Sequence, residues 1–574
     1  MTNKELADTF SLIADLLEIK GEVIYKILAY RKAADSLTNL SRNVEDIWKE
    51  GTLTDIPGVG KAIAEKIDEL LRTGELEFLN KLTAEVPEKL AALLQIPDLG
   101  PKKVKLFWKN LGITTLAELE KAARDGQLAD LPGMGEKSQE KVLVGIEALQ
   151  RRQTDRTPLG DVWDFAEEQL EFLRNLPGVV RAEPAGSLRR MRDTIGDLDI
   201  LVAADNSEPI MEAFVSQGNI ARVEGRGPTK TSVEFGNGFR AQLWVHPKEK
   251  FGTALQYATG SKDHNVKIRA IALDQGYSLS EHALTKEDGT EVLCDTEEKV
   301  YQTIGLPYIP PELREDRGEV QAAKSGTLPE LITLDDIIAD LHTHSEWSDG
   351  RATMREMVQA AIQHGLKVLA ITDHSVSLGI GNGLSIERLM QQKEALKPLR
   401  EEFAGQITIL HGTEMEIKAD GTLDFPDEIL AQLDIVVASL HVSMRQPREQ
   451  VTERMLNAIQ NPHVDIIGHP TNRLLPDRAG ADLDMESVFQ AAAEYGTALE
   501  INANPQRLDL NDIHARRAIE LGIPLTIDTD AHAPAHFSLL HFGVATARRA
   551  WAEKENVLNT WPVEKLFAWL KERG

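Results

Sequence analysis

Val368-Leu369-Ala370-Ile371-Thr372-Asp373-His374 is an apolar run of strand length that ends in a carboxylate and an imidazole. Ile407–Leu410, Asp434–Ser439, Asp465–Ile467, Ala498–Ile501 and Pro524–Ile527 repeat the apolar run, and helically spaced segments separate them. From Asp340 onward, this alternation predicts a β/α barrel, whose functional side chains gather at the C-terminal ends of the strands.

The polar residues that follow the runs are metal-ligand types: His342-Thr343-His344, Asp349, Asp373-His374, Glu414, His441, His469 and Asp530-Ala531-His532. His-x-His on a strand puts both imidazoles on one face, because side chains alternate with period two. Imidazole with carboxylate suits Zn²⁺, Mn²⁺ or Fe²⁺, and a cluster of such ions activates water and clamps phosphate. Any one of these histidines reads equally well as a core or surface residue; the set does not. From Asp340 to the C-terminus the chain resembles the PHP (polymerase and histidinol phosphatase) family, from the His-x-His opening to the Asp-x-His close. The resemblance implies phosphoester hydrolysis with up to three ions, Mn²⁺ and/or Zn²⁺. Their implied ligands are His342, His344, Asp349, His374, Glu414, His441, His469, Asp530 and His532. His364, His411 and His463 read as structural or exposed.

Upstream, Gly186-Ser187-Leu188-Arg189-Arg190 precedes Gly196-Asp197-Leu198-Asp199-Ile200-Leu201. Asp-x-Asp on a strand points two carboxylates the same way, enough to hold Mg²⁺ or Mn²⁺ against a triphosphate. Alone it is commonly a solvated strand edge. Here the Gly-Ser turn adds backbone N–H groups, and Arg190 adds a bidentate donor for phosphate. Ser232–Phe235 and Phe239–Val245 around Gly236-Asn237-Gly238 predict a hairpin within an α+β stretch.

Further on, Tyr257-Ala258-Thr259-Gly260-Ser261-Lys262-Asp263-His264-Asn265, with Arg269 a turn later, resembles the nucleotide-binding segment of family X DNA polymerases of the polymerase beta type. With Gly186–Leu201 and residues 1–80, the resemblance covers nearly everything before residue 312. It implies that Asp197 and Asp199 are the catalytic metal ligands and that Gly186, Ser187 and Arg190 bind the triphosphate. It further implies that Tyr257, Gly260 and Asn265 contact the nucleotide and that Arg269 touches the template side. One departure matters: Gln242 stands where the family has a third catalytic carboxylate. An amide is a poor ligand for a hard cation and no base toward a primer hydroxyl. Glu234, on the facing strand, would share the face of Gln242 and partly substitute for it. The aromatic pair that screens the sugar is reduced to Tyr257-Ala258, which leaves discrimination against ribonucleotides in doubt.

Residues 1–152 read as helices throughout. Within them Leu53-Thr54-Asp55-Ile56-Pro57-Gly58-Val59-Gly60, Ile96-Pro97-Asp98-Leu99-Gly100 and Leu131-Pro132-Gly133-Met134-Gly135 recur, each ahead of a Lys-containing helix. Gly58, Gly60, Gly133 and Gly135 look like helix-hairpin-helix turns, where backbone N–H groups approach a DNA phosphate without reading sequence. The copy at Gly100 lacks the first glycine. Ala29-Tyr30-Arg31-Lys32-Ala33-Ala34 and Ala64-Glu65-Lys66-Ile67 extend the polymerase beta likeness. It implies that Lys26 and Tyr30 belong to a 5′-phosphate pocket and that Lys66 forms a Schiff base with an abasic sugar. Ala62 replaces another family lysine, so Lys66 also reads as a solvated lysine touching phosphate.

The 574 residues, 42% apolar and 27% charged, exceed one ordinary domain and suit a soluble multidomain protein. Cys294 is the single cysteine, which excludes a disulfide within the chain and a cysteine zinc site and fits a reducing cytoplasm. Met1–Lys20 does not read as a signal peptide, and no apolar run is long enough to span a membrane. A net charge of −27 argues at first against nucleic acid. Residues 1–156 carry 23 basic and 26 acidic side chains, whereas residues 340–574 carry 22 and 34, so the acidic excess lies downstream and DNA binding stays open.

The sequence thus predicts an all-α helix-hairpin-helix region, an α+β nucleotidyltransferase palm and a C-terminal β/α barrel. The expected boundaries are 1–80, 81–152, 161–311 and 336–574, with linkers at 153–160 and 312–335. The expected protein is a cytoplasmic, monomeric DNA-repair enzyme that takes gapped, nicked or 3′-recessed DNA and deoxynucleoside triphosphates. Its palm adds nucleotides and its barrel removes 3′-terminal ones as a 3′–5′ exonuclease. Two other readings stand beside this one. The palm is a silent end-binding module, or the barrel hydrolyses a small phosphate monoester.

Overall fold

The computed structural model describes residues 3–38, 40, 42–96, 99–129, 131–151 and 156–573. Pro97 and Asp98 of the second Pro-containing repeat, and 153–155 of the first expected linker, lie outside these residues. Contacts divide the chain into two compact units, Met1–Asp155 and Arg156–Gly574.

The first unit is helical, with one apolar core running from Leu6 to Ile146. Gly60 and Gly100 are the N-caps of helices Lys61–Thr73 and Pro101–Leu111, and neither supplies a side-chain cap. The N–H groups of Lys61, Ala62 and Lys102 therefore stay available to an outside acceptor, whereas Ile63 and Lys103 already donate to the cap carbonyls. Gly58 has φ +81, and a Cβ there would lie 2.6 Å from Lys32 Cγ, so this turn requires glycine.

In the second unit the palm is a sheet of β1 (Arg181–Pro184), β2 (Leu198–Ala203), β3 (Ile220–Arg226), β4 (Lys230–Phe235) and β5 (Arg240–His246), ordered β1-β2-β5-β4-β3. The expected hairpin is β4–β5, with Ser232 opposite Gln242. β2 and β5 run parallel, which sets Asp199 beside Gln242.

The barrel strands are β6 (Ala339–Asp340), β7 (Val368–Ile371), β8 (Thr408–Glu416), β9 (Ile435–Ser439), β10 (Ile466–Ile467), β11 (Ala498–Asn502) and β12 (Leu525–Asp528). All seven are parallel and in sequence order. Beyond the strand ends, the Thr343–Ala531 bridge and the bond from His344 N to Ala531 O (2.8 Å) draw first and last together. Alternation sorts the side chains. Leu369 and Ile371 join the core shared with the surrounding helices. Val368 and Ala370 join a second core, with Leu566 and Leu570 of the C-terminal helix Val563–Arg573.

The structure corrects one expectation here. Residues 312–335 are not a free linker: Arg314, Val320 and Ala323 are buried, and a helix spans Glu319–Ser325. Arg314 pairs with Glu297 at 2.5 Å, and Glu319 lies 2.7 Å from His264, so the polar composition is turned inward. Palm and barrel also share apolar packing, since Leu508 and Phe542 of the barrel sit in the palm core.

Candidate metal centre and nucleotide site

The barrel mouth assembles its side chains from strand ends distant in sequence. His342 and His344 follow β6, His374 follows β7, Glu414 lies near the end of β8, His441 and His469 follow β9 and β10, and Asp530 and His532 follow β12. Their ligand atoms form three overlapping groups, each within 4.8 Å: His344, Asp349, His374 and His532; His342, His344 and Asp530; His374, Glu414 and His441. His469 joins them, with Nε2 2.9 Å from Glu414 Oε1. All nine expected ligands therefore meet at one mouth.

Several of these atoms are buried without a hydrogen-bond partner: His342 Nε2, both ring nitrogens of His344, His469 Nδ1, Glu414 Oε2 and Asp530 Oδ1. Each such atom costs roughly 1–3 kcal/mol. Bound cations would satisfy the carboxylate oxygens and one nitrogen of each ring, the other ring nitrogen keeping its proton, so the residues present fit a divalent metal cluster. The protonation states divide. Against the opposition of burial, the neighbouring carboxylates raise His342, His374, His441 and His532, whose ring protons bound ions would displace, while the carboxylates stay ionised. Burial opposes charge on Glu414, yet the imidazoles of His374, His441 and His342 hold its carboxyl well below the usual range. Burial likewise opposes charge on Asp530, and His342 and His344 hold it well below. Burial, aided by His532 and His374, depresses His344 to about 3, leaving its ring neutral as a ligand must be.

A supporting shell aims the rings. Glu500 Oε1 lies 2.7 Å from His342 Nδ1, and Glu416 Oε2 lies 2.7 Å from His441 Nδ1, which turns each Nε2 into the cluster. Asp373 is not in the cluster. It accepts from Ser345 N (2.8 Å), Ser345 Oγ (2.6 Å) and Ser348 N (3.2 Å), and so braces the segment between His344 and Asp349. Sequence reasoning missed Glu416 and Glu500. The available signal was a carboxylate at period two in an apolar strand, as in Glu414-Met415-Glu416.

In the palm, Asp199 is half-buried beside Asp197. Burial first, then the Asp197 charge, pushes its carboxyl up to about 7. Gly186 is required: a Cβ there would lie 2.1 Å from Asp199 Oδ2. Gln242 Nε2 lies 3.4 Å from Asp197 Oδ2, and Arg240 pairs with Asp197 at 2.7 Å. Glu234 shares the Gln242 face but sits two residues along and pairs with Arg222 at 3.1 Å, so its carboxylate is engaged away from the aspartates. Asn265 donates to the Tyr257 carbonyl at 2.8 Å. Arg190 differs from the expectation: it pairs with Glu315 at 3.0 Å and donates to the Thr259 carbonyl at 2.5 Å, with Arg549 bonded to the same Glu315.

Comparison with known proteins now bears on this geometry. The helix-hairpin-helix domain family matches residues 1–76, the SAM-like helix-hairpin-helix tandem 90–148, the DNA polymerase beta thumb 254–315 and the PHP domain 340–504. The DNA polymerase/3′-5′ exonuclease PolX of Bacillus subtilis (strain 168) is 40% identical over 574 residues, all of both chains. The chain belongs to the PolX family: family X polymerases with a C-terminal PHP domain. Probable phosphatases of Thermoanaerobacter sp. (strain X514) and Shewanella oneidensis are 34% and 33% identical over 41% of this chain, and cover 96% and 92% of their own lengths.

Within this PolX chain, the first unit places its expected residues unevenly. Lys66 and Lys26 lie 5.1 and 5.5 Å over the Phe78 ring, and Lys26 also pairs with Glu22 at 2.6 Å. Tyr30 is not at the surface. It is 5% exposed and stacked between Phe10 and Phe78, and burial raises its hydroxyl to about 12. Arg269 is exposed on helix Lys262–Asp274. Among the described residues no helix is long and apolar enough to cross a membrane.

Proposed function

We propose that this PolX chain is a DNA polymerase and 3′–5′ exonuclease acting at gaps, nicks and recessed 3′ ends, with the barrel as its phosphoesterase. The convergence of buried, unpartnered imidazole and carboxylate atoms at the barrel mouth carries this reading. His342, His344, Asp349, His374, Glu414, His441, His469, Asp530 and His532 would hold the ions, Mn²⁺ and/or Zn²⁺. Such ions supply water activation and charge compensation at phosphate. The protein's own part is to exclude bulk water, keep the carboxylates ionised and fix ring orientation through Glu500 and Glu416.

In the palm, Asp197 and Asp199 would hold Mg²⁺ or Mn²⁺ against the triphosphate. The Gly186-Ser187 turn contributes backbone donors, and Tyr257, Gly260 and Asn265 receive the nucleotide. Arg190 would bind phosphate in competition with Glu315. Gly58, Gly60, Gly100, Gly133 and Gly135 would dock the DNA backbone, and Lys66 reads best as a phosphate contact beside Lys26.

The decisive assay uses a gapped duplex with Mn²⁺ or Mg²⁺, with and without nucleotides. His342→Ala is expected to stop shortening, and Asp197→Ala/Asp199→Ala to stop extension; the reverse pattern would refute the assignment. A second reading, a palm that binds ends without polymerising, is favoured by Gln242 and by the Arg240–Asp197 pair. Nucleotide binding without primer extension in the wild type would select it.

A further inference from the structure

Two arginines from different loops, Arg478 after His469 and Arg507 after β11, meet beside the metal cluster without being ligands of it. Arg478 donates through Nη2 to Asn472 Oδ1 at 2.7 Å and through Nε to the Asn472 carbonyl at 2.8 Å. Arg507 Nη1 donates to the same Asn472 Oδ1. Two guanidiniums thus meet on one neutral oxygen. Among the described residues Arg478 has no carboxylate within ion-pair distance. Arg507 has only Asp530 Oδ2, 3.7 Å from its Nε, and that oxygen already lies 3.2 Å from Asn502 Nδ2. Arg507 read as a mere counterion of Asp530 would therefore be a poor one, and the carboxylate that acts on Arg478, Asp509, lies beyond ion-pair distance.

This convergence goes against the local charge. Residues 340–574 hold 34 acidic against 22 basic side chains, so two arginines facing each other beside the metal cluster are not background. Burial, then repulsion from Arg507, weakens the hold of Arg478 on its proton. The loops nevertheless fix the pair in place. Thr471 bonds to Asp509 through N and Oγ1, both at 3.0 Å, and Arg473 donates to the carbonyls of Arg507 and Leu508, both at 2.7 Å. Like charges held together by a rigid scaffold, with donors left over, are a preorganised receptor for an anion. The planar fork of arginine matches a phosphodiester, which offers two acceptor oxygens at fixed geometry.

The order of groups, from Asp530 to Arg507 to Asn472 to Arg478, leads away from the cluster, so the anion lies beside the scissile position. We propose that Arg478 and Arg507 clamp the internucleotide phosphate adjoining the one cut at the metal centre. The barrel then selects a polynucleotide end over an isolated phosphate ester. The proposal rests on the exonuclease reading of the barrel and names the feature of the substrate that it recognises.

The test compares kcat/KM on a labelled 3′-recessed duplex with that on bis(p-nitrophenyl) phosphate, a diester with a single phosphate, in Mn²⁺. Wild type, Arg478→Ala and Arg478→Lys are assayed in the full-length protein. Arg478→Ala is expected to lower the preference for DNA about tenfold through KM, and to flatten the salt dependence of DNA binding by roughly one phosphate contact. Arg478→Lys restores the salt slope but only part of the preference, because charge returns without the fork. An unaltered preference, or a fall in kcat alike on both substrates, overturns the clamp and leaves Arg478 as loop scaffolding. A wild type that hydrolyses the small diester but no DNA refutes the exonuclease reading itself, and the clamp with it.

Discussion

At Gln242 an amide occupies the register position beside Asp199, and nothing nearby restores the lost carboxylate, since Glu234 is engaged by Arg222. Gln242→Asp is therefore expected to raise single-nucleotide incorporation about a hundredfold, the scale of a positioned base. Equal rates alongside vigorous wild-type synthesis would count against this. Asp199 gives a second test. Its folded value, about 7, lies above the ordinary 3.8, so the metal-free folded protein binds the proton more tightly than the unfolded chain. Stability from this group is full below 3.8, falls as pH rises to about 7, and stays lost above. Asp199→Asn should thus stabilise metal-free protein at pH 8 by up to about 4 kcal/mol, and not at pH 3. Thermal melting at the two pH values checks the sign. The barrel ligands were legible as residues because each follows an apolar run. Glu416 and Glu500 were missed: a carboxylate inside an apolar strand marks them as unusual, but their work is to hold another side chain, and that pairing shows only in the fold. Arg190 was assigned from its chemistry and by likeness, Tyr30 by likeness alone; the ion pair with Glu315 and the stack on Phe78 depend on contacts that neither carries.

Among elements, the barrel strands were the most legible. Val368–Ile371, Ile435–Ser439 and Leu525–Asp528 sit within a residue or two of the expected runs, since buried parallel strands read as unbroken apolar stretches. Residues 312–335 failed for the opposite reason. A polar segment with glycines looks solvated, and only the fold reveals that Arg314 faces Glu297. The segment between His344 and Asp349 depends on Asp373, which receives its backbone and serine donors. Asp373→Asn keeps the size and removes the charge, and is expected to weaken metal binding roughly 10–100-fold although Asp373 is no ligand. Metal titration followed by calorimetry measures this; wild-type affinity would show that the segment is held by other means.

For the molecule as a whole, palm and barrel are one cooperative body in apolar terms. Phe542 is 4% exposed, lies edge-on to Trp163 at 5.2 Å and belongs to the palm core while sitting on a barrel helix. Phe542→Ala should cost about 3–5 kcal/mol and lower the melting of palm and barrel together. Two separate transitions, with only one shifted, would contradict a common core.

Gly160 belongs to this seam: a Cβ there would lie 2.7 Å from Pro505, so the two surfaces touch where no side chain intervenes. The stations for synthesis and excision are thereby welded at a fixed separation. If the palm extends and the barrel trims, as proposed, the DNA terminus itself must leave one bench and reach the other, unaided by any swing of the barrel. A barrel freed from its palm would expose Leu508 and Phe542, and would be a sticky fragment rather than a portable nuclease.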